Sequence, residues 1–320
     1  MTWLPFICLG IGSLIGFSKW VDKIIKLVDP IINVGLVVLM LTLGAKIGSN
    51  DSLIHSLGLL GFRCLFTAAT AIAFSVLFTV LLEKTVLSLG SVQSQLACEN
   101  IAVTQEVNIE EEEKKPTSPL VWIIPVCIIL GIVIGYLVPL FKKSFMLDHT
   151  LTISLVILYI GVGISFGMHK NILQYVRILG FKIILIPTTI IIGSLVGGFV
   201  SGILLGMPTY ITVSAAGGMS YYSITGAYLT QKFGIEVGAY GFLVNVSREF
   251  LTVLFLPLLI KVSKGSPIAS GAAGNMDTML VPVTKFVGVE LGLVALITGT
   301  ILTFLVPFML PLLVNLGNLM

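Results

Sequence analysis

One apolar stretch late in the chain carries side chains that could do chemistry. Residues 235–260 form a run long enough to cross a bilayer, with Asn245, Arg248 and Glu249 in its middle. A charge at the centre of a membrane helix costs about 2.5–3.5 kcal/mol on insertion scales, so such a residue indicates a functional site. Neighbours on a helix point about 100° apart, so Arg248 and Glu249 cannot pair face to face. We expect one to turn toward another helix, as a buried counter-charge, and the other toward a cavity, with Asn245 on the face of Glu249.

Two stretches rich in Gly, Ser and Thr flank this run, at 215–226 and 271–282. Such segments are tolerated at membrane depth only when they are buried in protein or line a wet cavity. Their candidate binding residues are Ser220, Tyr221, Tyr222 and Ser223 in the first stretch, and Asn275 and Asp277 in the second. Two structural alternatives stay open, which are tyrosines at a membrane interface and Asp277 as a helix N-cap.

The amino-acid composition predicts that the chain is a membrane protein. The chain has 320 residues, of which 56% are hydrophobic and 10% charged, with a mean hydropathy of +1.08. An ordinary soluble domain carries about 25% charged residues. The apolar runs are continuous, which predicts an all-α integral membrane protein and excludes a soluble enzyme or a nucleic-acid binder as the default.

The apolar runs predict eight full spans and two broken or re-entrant segments. A helix needs about 20 apolar residues to cross the hydrocarbon core. The predicted spans are roughly 3–17, 30–47, 57–82, 119–138, 149–168, 178–206, 235–260 and 288–316. The stretch 83–118, which contains Glu110 to Glu113, is predicted to be a solvated acidic loop.

A shift of 119 residues aligns the first three spans with the next three without a gap. Gly12, Gly44 and Asp29, for example, fall on Gly131, Gly163 and Asp148. Units of three spans must have opposite orientations, which is the inverted-repeat plan of secondary transporters. The chain thus divides into unit 1 (1–82), the acidic loop (83–118), unit 2 (119–206) and a transport unit with two broken segments and two spans (207–320).

Charge favours one orientation of these spans. With both termini outside, 12 of the 18 Lys and Arg residues lie on the inner side and 5 on the outer side, while Arg248 lies within a span. The positive-inside rule therefore predicts a multi-pass protein of the cytoplasmic membrane with outer N- and C-termini.

We find no motif of a hydrolase or of a phosphate-binding loop, and the four cysteines lack metal-ligand spacing. The sequence predicts a transporter without enzymatic activity, metal or cofactor.

The last third of the chain resembles the LysO family of bacterial lysine exporters. The resemblance rests on GGMSYYSITGAYLT, GAYGFLVNVSREFLTVLFLPLLI and GAAGNMDTMLVPV, in this order, and more weakly on LGAKIGSNDSL after the second span. It implies an inner-membrane exporter of L-lysine in which Glu249 and Asp51 are the functional intramembrane acids. From its position alone, Asp51 could equally be an ordinary loop acid.

An acid-lined cavity suits a cationic substrate, and a carboxylate that binds either lysine or a proton is sufficient for proton antiport. The expected partners are therefore L-lysine, protons and the lipid bilayer, with no nucleic acid, and a homo-oligomer is compatible with the sequence. The alternative is a sodium-coupled organic-anion symporter of the bile-acid-symporter type, in which a free Arg248 would matter more than Glu249.

Overall fold

The protein was analysed as a computed structural model that describes residues 4–17, 21–49, 51–90, 92–93, 120–138, 145–168 and 181–317. These residues form helices and short connections, and no strand occurs among them. Five helical stretches in this part of the chain are long and apolar enough to cross a membrane, and shorter apolar helices accompany them. The prediction of an all-α membrane protein is confirmed.

The helices follow the predicted spans closely. Each of the eight predicted spans overlaps one α-helix, of which the first has only 14 residues, and the two polar stretches are interrupted helices. In chain order the helices are α1 (Leu4–Phe17), α2 (Val21–Gly48), α3 (Asp51–Thr85), α4 (Leu120–Leu137), α5 (Phe145–Met168), α6 (Leu185–Leu205), α7 (Thr209–Ala216), α8 (Tyr222–Phe233), α9 (Ile235–Val262), α10 (Ser266–Gly271), α11 (Leu280–Val287) and α12 (Val289–Gly317). The acidic residues Glu110 to Glu113 lie outside the described residues.

Helices α3 and α6 cross the centre of the fold side by side and antiparallel. Ser75 Oγ lies 3.1 Å from Ser194 Oγ, and Thr79 Oγ1 lies 3.1 Å from Thr189 Oγ1, so rising numbers on α3 meet falling numbers on α6. Gly193 allows this approach, because a Cβ there would stand 2.4 Å from the Cα of Ser75.

Helices α1, α2, α4 and α5 form a separate group, here called the four-helix group. Within it, α1 packs on α5 and α2 packs on α4 through glycines. A Cβ on Gly12 would come within 2.9 Å of the Gly163 Cα, and one on Gly131 within 3.0 Å of the Gly44 Cα. Gly12 and Gly131 are 119 residues apart, and so are Gly44 and Gly163, so the repeat relates the two pairs to each other. Ser75 and Ser194 are also 119 residues apart. These contacts support the inverted repeat, which stays a prediction.

Both interrupted helices return to the side from which they start. At the two ends of the first one, α7 and α8, the rings of Tyr210 and Phe233 lie 5.6 Å apart. At the two ends of the second one, Gln93 accepts a hydrogen bond from Lys264 at 2.6 Å and donates one to Glu290 at 3.4 Å. Both segments are therefore re-entrant hairpins, which we call hairpin 1 (209–233) and hairpin 2 (266–287).

The two hairpins enter from opposite sides of the fold and meet. Hairpin 1 follows the end of α6, whereas hairpin 2 begins beside the end of α3, where the Gly265 N–H donates to Glu83 at 3.4 Å. Because α3 and α6 are antiparallel, these ends lie on opposite sides. At the tips, the Ala273 N–H donates to the Met219 carbonyl at 3.0 Å. The prediction that the two polar segments meet is confirmed.

The tips of both hairpins are strained. Met219 and Ser220 in hairpin 1 have φ values of 47° and 76°, and Ala272 in hairpin 2 has a φ of 50°. L-residues other than glycine rarely adopt positive φ, and each such residue costs on the order of 1–3 kcal/mol. Backbone strain of this kind persists only where surrounding contacts fix the backbone. In the described residues, the strained positions lie where the two hairpins meet.

Candidate functional site

Glu249 faces the tip of hairpin 2. Its Oε1 accepts a hydrogen bond from the Thr278 hydroxyl at 3.0 Å. A Cβ on Gly274 would stand 3.0 Å from the same oxygen, so glycine at this position makes room for the carboxylate. Asp277 lies close enough to Glu249 to interact with it electrostatically. A full-length helix and a hairpin tip thus place two carboxyl groups and a hydroxyl together; we call Glu249, Asp277 and Thr278 the acid site.

Asp277 is an exposed residue that follows the 3₁₀ turn Ala272–Met276. Helix α11 begins at Leu280 with Met279 in the N-cap position and no side-chain cap. Asp277 is therefore not the N-cap of this helix, as the alternative interpretation supposed. Its position on the connection between the tip and α11 leaves its carboxyl group within electrostatic range of that of Glu249.

The tip of hairpin 1 brings tyrosines to the acid site. Tyr222, the first residue of α8, interacts electrostatically with Glu249 and Asp277, and Tyr221 interacts with Asp277. The ring of Tyr222 packs edge-on against Phe242 at 5.6 Å. Ser223, the next residue of α8, is buried. The two tyrosines therefore lie within electrostatic range of the acid site.

Asn245 anchors hairpin 1 to α9. Its amide donates to the Ala215 carbonyl at 2.9 Å and to the Gly241 carbonyl at 2.8 Å, and its Oδ1 accepts from the Ser220 N–H at 2.7 Å. Ala215 lies in the last turn of α7, where its carbonyl also accepts a hydrogen bond from the Gly218 N–H at 3.2 Å. Asn245 thus caps the first half-helix and fixes the strained Ser220, whose buried hydroxyl has no partner among the described residues.

Arg248 anchors hairpin 2 in the same way and joins it to the central helices. Its guanidinium donates to the carbonyls of Ala269 and Ser270 at 3.1 Å, to the Ser194 hydroxyl at 2.7 Å and to the Ser75 hydroxyl at 3.2 Å. The residue is 1% exposed. Four of its five N–H groups therefore bind neutral oxygens of α3, α6 and α10, and Arg248 points away from the acid site.

Asn275 also serves the architecture of hairpin 2. It is fully buried, and its amide donates to the Ile268 carbonyl of α10 at 2.7 Å. Its Oδ1 has no partner in the described part of the chain. Asn275 closes the end of α10 from within the hairpin, as Asn245 closes the end of α7 from α9.

Asp51 lies far from the acid site. It is the first residue of α3, and Ser75, which binds Arg248, follows 24 positions later on the same helix. At about 1.5 Å per residue this separation is about 36 Å along the axis. Glu249 is adjacent to Arg248, so the structure does not bring Asp51 and Glu249 together.

Sequence reasoning missed three polar residues of this region. Thr278 holds the Glu249 carboxylate, and Ser75 and Ser194 hold Arg248. Thr278 is a hydroxyl next to a candidate acid, and the serines occupy equivalent positions of the 119-residue repeat, so both signals were available in the sequence.

The acid site can bind a cation. Two carboxyl groups lie together with hydroxyl groups at the meeting point of two hairpins, which is the broken-helix arrangement in which transporters coordinate substrates and ions. Among the described residues, no group of three His, Cys, Asp or Glu side chains could hold a metal. The arrangement is suited to an ammonium group, which donates three hydrogen bonds to such acceptors.

Comparison with known proteins identifies similar chains. The family model described as lysine exporter LysO matches residues 125–314. The lysine exporter LysO of Escherichia coli K12 is 26% identical over 206 residues, which cover 63% of this chain and 68% of that protein. A protein of Haemophilus influenzae, provisionally named a lysine exporter, is 29% identical over 119 residues, which cover 37% of this chain and 61% of that protein. No solved structure matches.

Proposed function

This chain belongs to the lysine exporter LysO family, and from that premise we propose that it exports L-lysine across a bacterial or archaeal cytoplasmic membrane in exchange for protons. The outer location of both termini is part of this proposal and rests on the distribution of Lys and Arg. The observation that carries the proposal is the acid site, where Glu249 and Asp277 lie together at the meeting point of two opposed hairpins.

The charge of the acid site fits lysine. The substrate carries two ammonium groups and one carboxylate, and the two acidic side chains supply acceptors for the cationic groups. Helix α8 begins at Tyr222, beside the acids, and the positive end of a helix favours a carboxylate. The site therefore offers a partner for each charge of the amino acid.

Exchange follows from competition for the Glu249 carboxylate. With the site empty, a proton neutralises the buried acid; when lysine binds, its ammonium takes over that role and the proton leaves. Hairpin 1 separates the site from one side of the fold and hairpin 2 from the other, and motion of α9 and both hairpins together against the four-helix group would give alternating access. An inward proton gradient would then reprotonate the site from outside and drive export.

The placement of Arg248 favours a cationic substrate over the organic-anion alternative. An anion site requires an arginine that can turn to the ligand, whereas four N–H groups of Arg248 bind hairpin 2 and the central serines. We assign Arg248 to the architecture of the site and Glu249 to the substrate.

The decisive experiment is lysine flux in proteoliposomes with an imposed pH gradient. We expect flux to follow the gradient, and we expect Glu249→Gln to abolish it while the protein stays folded. Glu236→Gln is the matched control, because Glu236 lies in the first turn of the same helix and is exposed. Lysine flux that persists in Glu249→Gln, or that ignores the pH gradient in the unmodified protein, would refute the mechanism.

A further inference from the structure

We propose that Tyr159 and Tyr228 form a second binding site for a primary ammonium group, outside the acid site and on the side of the fold where hairpin 1 begins and ends. This inference rests on the proposed function, because it assigns a place for the side-chain ammonium of lysine on its way past hairpin 1. The site lies between α5 of the four-helix group and α8 of hairpin 1.

Both tyrosines are buried with unused hydroxyl groups. Tyr159 and Tyr228 are each 1% exposed, and neither phenolic oxygen has a hydrogen-bond partner among the described residues. A buried polar group without a partner costs about 1–3 kcal/mol. Two such groups on facing elements are better explained by a ligand that supplies the missing partner than by packing, since phenylalanine would pack at lower cost.

The two helices that carry these tyrosines, α5 and α8, pack against each other. Tyr159 is close enough to Tyr228 and Tyr221 to interact with both electrostatically, and Tyr221 in turn interacts with Asp277. The Gln231 amide also donates a hydrogen bond to the Thr152 hydroxyl at 3.5 Å, which joins the last turn of α8 to α5.

A primary ammonium group of the chain itself already lies against this site. The Nζ of Lys232 lies 5.8 Å from the centroid of the Tyr228 ring, within the range of a cation–π contact. Lys232 has the same side chain as the proposed substrate. The ring of Tyr228 therefore accepts the chemical group that we assign to it, and its unused hydroxyl and that of Tyr159 add the acceptors that an ammonium needs.

The test measures binding of lysine and of n-butylammonium, which carries the side-chain ammonium alone, to the purified full-length protein. Tyr159→Phe and Tyr228→Phe keep the rings and remove the hydroxyls. Each substitution is expected to weaken n-butylammonium binding at the phenols at least about tenfold, the effect of one hydrogen bond to a charged group. The thermal midpoint should stay unchanged or rise, because an unpaired buried hydroxyl is removed. Lys232→Gln should strengthen n-butylammonium binding, because it removes the competing ammonium.

Tyr240→Phe is the matched control. Tyr240 is equally buried, but its hydroxyl lies 2.6 Å from that of Thr67. We expect this variant to lower the thermal midpoint and to leave lysine affinity unchanged. If Tyr159→Phe and Tyr228→Phe bind both ligands as the unmodified protein does, or lose affinity together with a fall in midpoint like that of Tyr240→Phe, the second site is refuted.

The outcomes separate this inference from the proposed function. Normal n-butylammonium binding by both phenylalanine variants would overturn the second site and leave lysine export standing. An unmodified protein that binds n-butylammonium through the two phenols but does not bind lysine would support the ammonium site and overturn the lysine assignment. A protein that binds neither ligand would overturn both.

Discussion

Replacement of Arg248 by lysine keeps a positive charge in α9 but cannot keep the contacts that hold it. The guanidinium reaches four oxygens on three helices from three separate nitrogen atoms. A lysine has one nitrogen, and we expect it to reach about two of these acceptors. Hydrogen bonds to charged groups contribute about 1.5–3 kcal/mol each, so the loss of two predicts a destabilisation of about 3–6 kcal/mol.

The assay for Arg248→Lys has two readouts. Thermal or denaturant unfolding of the purified protein should show the loss of stability, while the lysine affinity of the folded fraction should stay within about threefold of the unmodified value, because Arg248 points away from the acid site. Two double-mutant cycles, one that pairs Arg248→Lys with Ser75→Ala and one that pairs it with Ser194→Ala, should each give a coupling free energy of about 0.5–3 kcal/mol, as expected for residues of one network. If Arg248→Lys is as stable as the unmodified protein but no longer binds lysine, the assignment of Arg248 to the architecture of the site is refuted.

Three further predictions concern the acid site and the anchor of hairpin 1. In the proposed exchange lysine expels the proton from the empty site, so lysine affinity should rise with pH across the range where the site titrates, and isothermal calorimetry should find no such rise in Glu249→Gln. Gly274→Ala would place a Cβ 3.0 Å from the Glu249 carboxylate and 2.9 Å from Met279, so lysine binding should weaken severalfold in a protein that stays folded; unchanged affinity would show that the tip yields freely. Asn245→Ala leaves the Ser220 N–H without its partner, while the Ala215 carbonyl keeps the hydrogen bond from the Gly218 N–H, and it should cost about 1–3 kcal/mol in an unfolding experiment, the cost of one unpaired buried group.

The directions of Arg248 and Glu249 were predictable because they follow from helix geometry. Residues about 100° apart in one helix must face different neighbours, and the structure gives Arg248 to the central helices and Glu249 to hairpin 2. The sequence did not reveal which of the two faces the tip of hairpin 2. That choice depends on Ser75 and Ser194, whose packing is a tertiary contact between helices 119 residues apart.

The re-entrant hairpins were predictable from composition, whereas the placement of Asp51 was not. Stretches rich in glycine and hydroxyl side chains cannot face lipid, so their burial and interruption follow from the cost of unpaired backbone groups. The position of Asp51 depends on where α3 begins, and helix ends are the least certain feature of a sequence pattern. Because α3 starts at Asp51 itself, this residue stands at the far end of a 35-residue helix rather than beside Glu249.

One turn of α9 holds both hairpins, and this arrangement predicts which parts of the protein move. Asn245 binds the end of α7 and Arg248 binds the end of α10 together with α3 and α6. We therefore expect α3, α6, α9 and the hairpin ends to move as one body, and transport to require motion against the four-helix group.

Cross-links across the two kinds of interface test this division, in a background in which the four native cysteines are replaced. A pair of cysteines at Thr152 and Gln231, whose side chains are 3.5 Å apart, joins the four-helix group to hairpin 1. Cross-linking of this pair should arrest lysine flux, and reduction should restore it. A pair at Thr79 and Thr189, 3.1 Å apart, lies within the proposed single body and should leave flux intact. Flux that survives the first cross-link would mean that the hairpins move independently of α9, which the anchors at Asn245 and Arg248 do not permit.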